Sequence, residues 1–198
     1  MSSLKGFDEV KEERYEIRLS GSGGQGIIMM AIVLAEAAGV YDEKVVCQSQ
    51  SYGPEARGGS SKAEVIISRQ TIDYPKVIKP DLLMAMNQES CDTYFQYLKT
   101  QGLLVVDSTL VHQIPTNHVA AIPFTQIARN DIGDEMVANM VALGAVGVLS
   151  QIISLHSLEQ ALMARVPEGT GEINIKALHA GIKAAKEIDL KNLSPLKR

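Results

Sequence analysis

Gly21-Ser22-Gly23-Gly24-Gln25-Gly26 separates two stretches with different hydrophobic periods. Residues 15–20 before it alternate apolar and polar, as a strand does. Residues 27–40 after it are apolar, alanine-rich and free of proline, which is typical of a helix packed on a sheet, and a helix is predicted over 26–39. Glycines let the backbone approach a phosphate closely, and first-turn helix N–H groups point at it. The stretch predicts a phosphate-containing ligand; the alternative is that its glycines serve only tight strand–helix packing.

The glycine spacing also matches G-x-G-x-x-G, the dinucleotide-binding pattern. That pattern needs an acidic residue at the end of the second strand, to hold the adenosine ribose. The second strand is predicted over 44–48 and runs into Gln48-Ser49-Gln50-Ser51, without a carboxylate. No Lys-Ser or Lys-Thr follows Gly26, so the stretch is not a nucleotide-hydrolysing P-loop either.

A second polar stretch, 49–60, is predicted to be a loop rich in serine and glycine. Its candidate ligand-binding residues are Ser51, Tyr52, Arg57 and Gly58. The planar guanidinium of Arg57 could hold a phosphate or carboxylate with two parallel hydrogen bonds. Two alternatives stay open: an exposed turn with an ordinary surface arginine, and a loop that contacts another protein.

Strands and helices are predicted to alternate along the chain, which indicates a largely parallel sheet covered on both faces. Further strands are predicted over 62–68, 82–86, 103–106 and 118–122, and helices over 88–99, 134–153, 157–164 and 172–187. Ligands bind such sheets outside the carboxyl ends of the strands. Asn87 and Asp107-Ser108-Thr109 follow two of these strands, so we expect them near the glycine stretch.

Two polar residues have uncertain roles on sequence grounds. Asp107 could be functional or could cap the turn that follows it. Asn139 lies in an apolar helical run, where its amide must find a partner. That partner could be one of the strand-end loops or simply a nearby carbonyl group.

Composition excludes several classes of function. The 198 residues are 45% hydrophobic and 21% charged, with a net charge of −4 and no tryptophan, which argues against a nucleic-acid partner. The charged N-terminus lacks the apolar core of a signal peptide, and the low-charge stretch 136–155 indicates a buried helix rather than a membrane span. Two cysteines suit a reducing compartment, so we expect a cytoplasmic protein.

Catalytic and metal-binding patterns are not evident in the sequence. The four histidines stand apart from any serine or cysteine nucleophile pattern and lack metal-ligand spacing. Neither a G-x-S-x-G elbow nor a carboxylate pair in a cleft context is present. We therefore expect no catalytic residue and no metal ligand in this chain.

Together, the glycine stretch, Ser51-Tyr52-Gly53-Pro54-Glu55-Ala56-Arg57-Gly58-Gly59 and Asn139-Met140-Val141-Ala142-Leu143-Gly144 resemble one known family. That family is the gamma subunits of 2-oxoacid:ferredoxin oxidoreductases, and the resemblance covers roughly 15–187. The Gly-Pro-Glu-Ala-Arg-Gly-Gly wording looks most like the 2-oxoglutarate members. The resemblance implies one three-layer α/β/α domain with a mostly parallel sheet over 15–188, an N-terminal extension (1–14) and a C-terminal tail (189–198).

The resemblance also implies a division of labour. The whole complex converts a 2-oxoacid to an acyl-coenzyme A, with thiamine diphosphate on the alpha and beta subunits and iron–sulfur clusters on beta or a ferredoxin-like delta subunit. The gamma domain is associated with coenzyme A, which implies binding at Gly21, Ser22, Gly23, Gly24, Gln25, Gly26, Ser51, Tyr52, Arg57, Gly58 and Asn87. Two alternatives remain: a purely structural scaffold, and a free-standing dinucleotide-binding oxidoreductase or binding module. The isolated chain could also self-associate.

Overall fold

The computed structural model describes residues 14–52 and 60–189, and within them six strands form one sheet. The strands are β1 (Arg14–Ser22), β2 (Val45–Tyr52), β3 (Ser60–Ser68), β4 (Leu82–Ala85), β5 (Leu103–Asp107) and β6 (Val119–Ile122). Their order across the sheet is β2-β3-β1-β4-β5-β6. β1, β4, β5 and β6 pair in parallel, and only β3 runs in the opposite direction. The carboxyl ends of five strands therefore lie at one edge.

The described helices cover both faces of the sheet. They are α1 (Ile27–Glu36), α2 (Gln88–Tyr94), α3 (Phe124–Ile127), α4 (Ala138–Ser150), α5 (Leu155–Arg165) and α6 (Gly171–Lys186). Short π-helical turns extend α1 through Ala37–Tyr41 and α3 through Ala128–Ile132. A 3₁₀ turn, Phe95–Tyr97, follows α2, and another, Glu135–Val137, precedes α4.

The two faces of the sheet carry unequal helical layers. On β4, Leu82 and Met84 join the larger apolar cluster, which includes residues from α1 and from α3 to α6. Leu83 and Ala85 point the other way, into a smaller cluster with Cys91 of α2. The predicted three-layer α/β/α fold with a mostly parallel sheet is thus confirmed, with one layer much thinner than the other.

A buried ionic group lies on the thinner side. Arg18 of β1 is only 4% exposed, and its guanidinium is 2.7 Å from a carboxylate oxygen of Glu64 on β3. The same guanidinium lies 5.5 Å from the ring centre of Tyr94 and 5.4 Å from that of Tyr97. Cation–π contacts of this length hold α2 and the 3₁₀ turn after it against the sheet. Among the described residues, α2 is the one α-helix on this face.

The predicted loop over 49–60 was wrong at both ends, because residues 49–52 belong to β2 and Ser60 begins β3. β2 lies at the edge of the sheet, so its serines and glutamines can face solvent without interrupting the pairing with β3. The helix predicted over 134–153 is shorter, since α4 ends before Gln151, which adopts a left-handed conformation with φ 53°. The short helix α3 lies in the region from Thr125 onward, which the sequence predicts to be helical, but its bounds were not predicted.

Close contact between α4 and α6 depends on two glycines. A Cβ at Gly181 would lie 1.8 Å from the carbonyl oxygen of Val141, and one at Gly144 would lie 2.1 Å from that of Leu178. Backbone cannot move aside as a flexible side chain can. The small residues of α4 therefore admit α6, and nearly all of α4 is buried inside the domain.

Gly181→Ala should lower the free energy of unfolding by about 1–3 kcal/mol, because the added methyl group overpacks a close backbone contact and forces the two helices apart. Urea denaturation measures this change. Gly23→Ala is the matched control, since a Cβ there meets nothing within 4 Å. Equal stability of both variants would contradict the proposed close contact.

Asp42 connects the end of the first helical segment to the start of α5. Its carboxylate accepts hydrogen bonds from the backbone N–H of Ser154 at 2.8 Å and from the hydroxyl of Ser157 at 2.5 Å. Burial, the largest single influence, raises the pKa of Asp42, but the bonds from Ser157 and Ser154 and the charge of Lys44 outweigh it. The pKa of Asp42 is therefore held below its ordinary value of 3.8.

Asp42→Ala should lower the free energy of unfolding at pH 7 by about 1.5–3 kcal/mol, the size of hydrogen bonds to a charged group. Because the folded-state pKa is lowered, the stabilisation is fully present above about pH 4 and is lost as the pH falls through the folded-state pKa. The difference between wild type and variant in urea denaturation should narrow below pH 4. A difference independent of pH would show that the charge of Asp42 contributes nothing.

Candidate functional site

The glycine stretch forms the turn between β1 and α1. Gly24 has φ +87° and Gly26 has φ +69°, a left-handed backbone that other residues adopt only under strain. Gly23 and Gly24 are exposed at the tip of the turn. The pattern of glycines is thus needed for the backbone path itself, at Gly24 and Gly26 in particular.

Gln25 holds this turn in shape. Its side-chain oxygen accepts a hydrogen bond from the backbone N–H of Ser22 at 2.7 Å. The same oxygen lies 2.6 Å from where a Cβ on Gly21 would stand, so Gly21 has to be glycine for Gln25 to fold back. The N–H of Ser22 is therefore occupied within the turn.

The start of α1 offers unused hydrogen-bond donors. Gly26 is its N-cap and supplies no side-chain oxygen, and no acidic residue lies in the first turn. Among described residues, the first-turn N–H groups thus have no capping side chain, and the positive end of the helix dipole is not compensated. Both features favour an anion at this place.

A cleft of about 210 Å³ opens beside the turn, at the carboxyl edge of the sheet. One wall carries Gly24 and Gln25, with Met86 after β4. The opposite walls are formed by Leu110 and Thr125, and by Glu135, Met136, Ala138 and Asn139. Met136 is 78% exposed and Leu110 is 37% exposed, so apolar side chains form part of the rim.

Asn139, which lines this cleft, packs against Gly26 at the start of α1. A Cβ on Gly26 would lie 2.1 Å from the amide nitrogen of Asn139, so the two residues are in direct contact. Asn139 is half-buried, and its amide makes no hydrogen bond with any other described residue. Neither sequence-based alternative is met within the described residues, and the amide remains available to a ligand.

Asp107 has a structural role. It is fully buried, accepts a hydrogen bond from the backbone N–H of Thr109 at 3.0 Å, and binds both the N–H and the hydroxyl of Thr125. These bonds fix the turn after β5 to the start of α3. Asp107 therefore caps the turn that follows it, which was one of the two predicted roles. It also positions the Thr125 wall of the cleft.

Asn87 and Gln88 hold the neighbouring turn. The side-chain oxygen of Asn87 accepts from the backbone N–H of Ser90 at 2.8 Å and so caps α2, and Asn87 itself does not line the cleft. The side-chain oxygen of Gln88 accepts from the N–H groups of His112 and Gln113, both at 2.9 Å. Gln88 thereby fixes the segment that carries Leu110.

The second sequence-predicted loop reaches the same edge of the sheet. In the ladder, Tyr52 pairs with Ser61, and Ser60 pairs with Ser22 of the glycine turn. Ser51 is exposed next to this point. Arg57 and Gly58 lie outside the described residues.

Charged and nucleophilic groups are scarce around the cleft. Glu135 is the only titratable residue of its lining, and Arg129 donates two hydrogen bonds to it, at 2.7 and 2.9 Å. Burial, with a smaller effect of Asp92, raises the pKa of the Cys91 thiol to about 11, so this cysteine is not a nucleophile at neutral pH.

Metal-ion clusters and membrane-spanning helices are absent from the described residues. Across 14–52 and 60–189, no group of three or more His, Cys, Asp or Glu side chains could hold a metal ion. In the same part of the chain, no helix has both the length and the apolar character needed to cross a membrane.

The described cleft includes residues that sequence analysis did not select. Met86, Leu110, Thr125, Glu135 and Met136 come from four different segments, and each looks ordinary in its own sequence context. A partial signal existed for Met86 and Thr125. Met86 directly precedes Asn87, and Thr125 begins the helical region that follows the last predicted strand.

Known proteins match the sequence of this chain over most of its length. The family model of pyruvate ferredoxin/flavodoxin oxidoreductase matches residues 16–184. The chain belongs to this family. The 2-oxoglutarate synthase subunit KorC of Methanocaldococcus jannaschii is 49% identical over 179 residues, which are 88% of this chain and 96% of that protein. The resemblance to a gamma subunit is thereby confirmed.

Solved structures of the family have the same fold. The gamma subunit of a keto/oxoacid ferredoxin oxidoreductase from Geobacter sulfurreducens is 47% identical, with a TM-score of 0.81 over 87% of this chain and 97% of that one. The 2-oxoglutarate:ferredoxin oxidoreductase of Magnetococcus marinus, solved with 2-oxoglutarate, coenzyme A and succinyl-CoA, is 24% identical. It superimposes with a TM-score of 0.77 over 94% of this chain and 33% of its own, a likeness of fold.

Gly26→Ala should destabilise the protein by more than the roughly 1–2 kcal/mol of a left-handed alanine, because the new methyl group also meets Asn139. Asn139→Ala removes the two nearest atoms and should recover part of this loss in the double variant. Urea denaturation of the four proteins in a double-mutant cycle measures the coupling. Strictly additive effects would show that Gly26 and Asn139 are not in contact.

Proposed function

We propose that this chain is the gamma subunit of a 2-oxoglutarate:ferredoxin oxidoreductase complex and that its cleft holds part of coenzyme A. It contributes ligand binding and assembly, and it has no oxidoreductase activity by itself. The identity of 49% to a 2-oxoglutarate synthase subunit over nearly the whole chain supports the choice of 2-oxoglutarate among 2-oxoacids.

The observation that carries the coenzyme A proposal is the combination of unused polar groups at one place. The first turn of α1 has uncapped N–H groups next to Gly26, Gly26 contacts Asn139, and Asn139 lines the cleft together with Gly24. Helix N-termini with close-approach glycines suit a phosphate or diphosphate. A side-chain amide can both donate to and accept from the amide groups of a pantetheine arm.

Cleft size argues for a composite site. Pockets that enclose a drug-sized ligand are about 300–1,000 Å³, and the cleft measures about 210 Å³. Coenzyme A is larger than most drugs, so this chain can enclose only part of it. The apolar rim at Leu110 and Met136 is placed to meet another protein surface, which would cover the remainder.

Charge leads to the same conclusion. The lining contains no cation, and its one carboxylate, Glu135, is paired with Arg129. The phosphates of coenzyme A need cationic partners, for which Arg57 and the neighbouring subunits are the candidates. We therefore expect tight binding in the assembled complex and weak binding by the isolated chain.

Catalytic cofactors belong, in this proposal, to the alpha, beta and delta subunits. Thiamine diphosphate and iron–sulfur clusters supply the decarboxylation and the electron transfer there. In the cleft of this chain, the residues bind and orient: Gly24 and Gly26 shape the phosphate cradle, Asn139 supplies an amide, and Asp107 fixes the Thr125 wall.

Steady-state kinetics of the co-expressed complex test the proposal. Arg57→Ala should raise the KM for coenzyme A about ten- to a hundredfold, because it removes a charge-assisted contact. Asn139→Ala should raise it about two- to tenfold, the effect of one neutral hydrogen bond. Gly24→Val should impair the use of coenzyme A, since a β-branched residue resists φ +87° and obstructs the backbone. The KM for 2-oxoglutarate should not change.

Arg165→Ala is the matched control for Arg57→Ala, because Arg165 pairs with Glu36 on the surface, away from the cleft. An unchanged KM for coenzyme A in all three cleft variants would leave the chain as a scaffold. Flavin bound to the purified isolated chain, or activity of that chain with NAD or NADP, would instead favour a free-standing oxidoreductase.

A further inference from the structure

Exposed apolar side chains collect on the thinner side of the sheet. Eight large apolar side chains are exposed in the described residues, and four of them lie on this side. They are Val45 (41% exposed), Tyr74 (50%), Ile78 (60%) and Tyr97 (47%). These four residues are called the apolar patch below. None of them lines the cleft at the carboxyl edge of the sheet.

Contacts with β1 and β2 bring the patch together. The side chain of Arg14 binds the carbonyl oxygen of Tyr74 at 2.7 Å, and Arg14 and Val45 both pair with Ser68 in the ladder. The guanidinium of Arg18 binds the carbonyl oxygen of Val77 at 3.1 Å and lies 5.4 Å from the ring of Tyr97. Tyr74, Ile78 and Tyr97 therefore surround the same part of β1.

Buried charges hold this irregular segment in one conformation. Glu16 is 7% exposed, and its carboxylate accepts a hydrogen bond from the N–H of Ile78 at 3.1 Å. Arg18, 4% exposed, holds Val77 from the other side. Both charged side chains are buried, at a cost in desolvation, and they fix the backbone at Val77 and Ile78. The side chains of Tyr74 and Ile78 in this segment are exposed. A surface fixed in advance loses little entropy when it binds, which suits a docking site.

The rim of the patch is basic, although the chain carries a net charge of −4. Arg69, Lys76 and Lys79 are exposed, and their side chains make no ion pair within the described residues. Against these three cations stand two exposed carboxylates that likewise make no ion pair in the described residues, Asp73 and Glu43, which lies two residues before Val45. The local charge is thus opposite in sign to that of the whole chain.

We propose that the apolar patch docks an acidic, apolar-centred protein surface of another subunit of the same oxidoreductase complex. Positive rim and apolar centre together match a partner with carboxylates around an apolar centre. A second copy of this chain fits poorly, because a two-fold contact through the patch would bring two identical basic rims together. The proposal rests on the family membership and does not require coenzyme A to bind in the cleft.

Zero-length carbodiimide cross-linking of the purified, co-expressed complex tests this docking. The reagent joins a lysine amine directly to a carboxylate, so it reports only ion pairs in contact. Mass spectrometry should find Lys76 or Lys79 joined to aspartate or glutamate of one other subunit. Both lysines should also be at least tenfold less reactive to acetylation in the complex than in the isolated chain.

Charge reversal and apolar truncation then measure the contact. Lys76→Glu with Lys79→Glu should remove the cross-links and weaken retention of that subunit at least tenfold in size-exclusion chromatography at moderate salt. Ile78→Ser should weaken retention about tenfold without changing the rim charge. The matched controls are Lys176→Glu with Lys183→Glu on α6 and Val40→Ser, which change exposed residues elsewhere and should have no effect.

Three results would overturn the proposal. One is that both lysines keep the same reactivity in the complex as in the isolated chain. Another is that cross-links join the patch only to a second, isotopically labelled copy of this chain, or only to its own residues 1–13. The third is that the charge-reversal variant retains every subunit as the wild type does. The KM for coenzyme A of Ile78→Ser, expected to be unchanged in any complex that still assembles, separates this test from that of the cleft.

Discussion

The described structure depends on the way β1 passes into α1. β1 is a central strand, paired with β3 on one side and β4 on the other. At its end the chain turns at once into a helix that packs on the sheet, and it takes that path with left-handed backbone at Gly24 and Gly26. The same missing Cβ at Gly26 admits Asn139, so the first helix and the fourth meet there. Strand, turn and cleft are therefore set by one local constraint.

Several elements could be predicted from the sequence because their information is local. Alternation over 15–19 predicted β1, and the continuous apolar runs at Leu82 and Leu103 predicted two buried strands. The extent of β2 could not be predicted in this way. Its second half is polar because the strand lies at the edge, and edge position is a property of the whole sheet. The order of the strands, with β3 reversed between β2 and β1, is likewise a long-range outcome.

The candidate site divides along the same line. Its glycine turn was predictable, since a strand, a glycine motif and a helix follow one another in sequence. The opposite wall was not, because Leu110, Thr125 and Met136 come together only when β5 and β6 place their turns beside the glycine turn. Asp107 shows how sequence position and role can separate: it stands at the carboxyl end of a strand, as a ligand-binding residue would, yet its oxygens bind Thr109 and Thr125. The position of a cleft wall depends on buried residues such as Asp107 as much as on the residues that would contact a ligand.

The unequal layers explain why the two surfaces of interest are distinct. On one face, α4 and α6 approach each other through Gly144 and Gly181 and cover a thick apolar core. The apolar side chains of that face are therefore buried within the chain itself. On the other, a single short helix leaves part of β1, β2 and β3 to be covered by an irregular segment. Arg18 and Glu64 replace apolar packing there, although replacing a buried ion pair with well-packed apolar residues is often neutral or stabilising. What an ion pair offers instead is a fixed direction: it sets where Val77 and Tyr97 stand relative to β1, and thereby fixes the shape of an exposed surface.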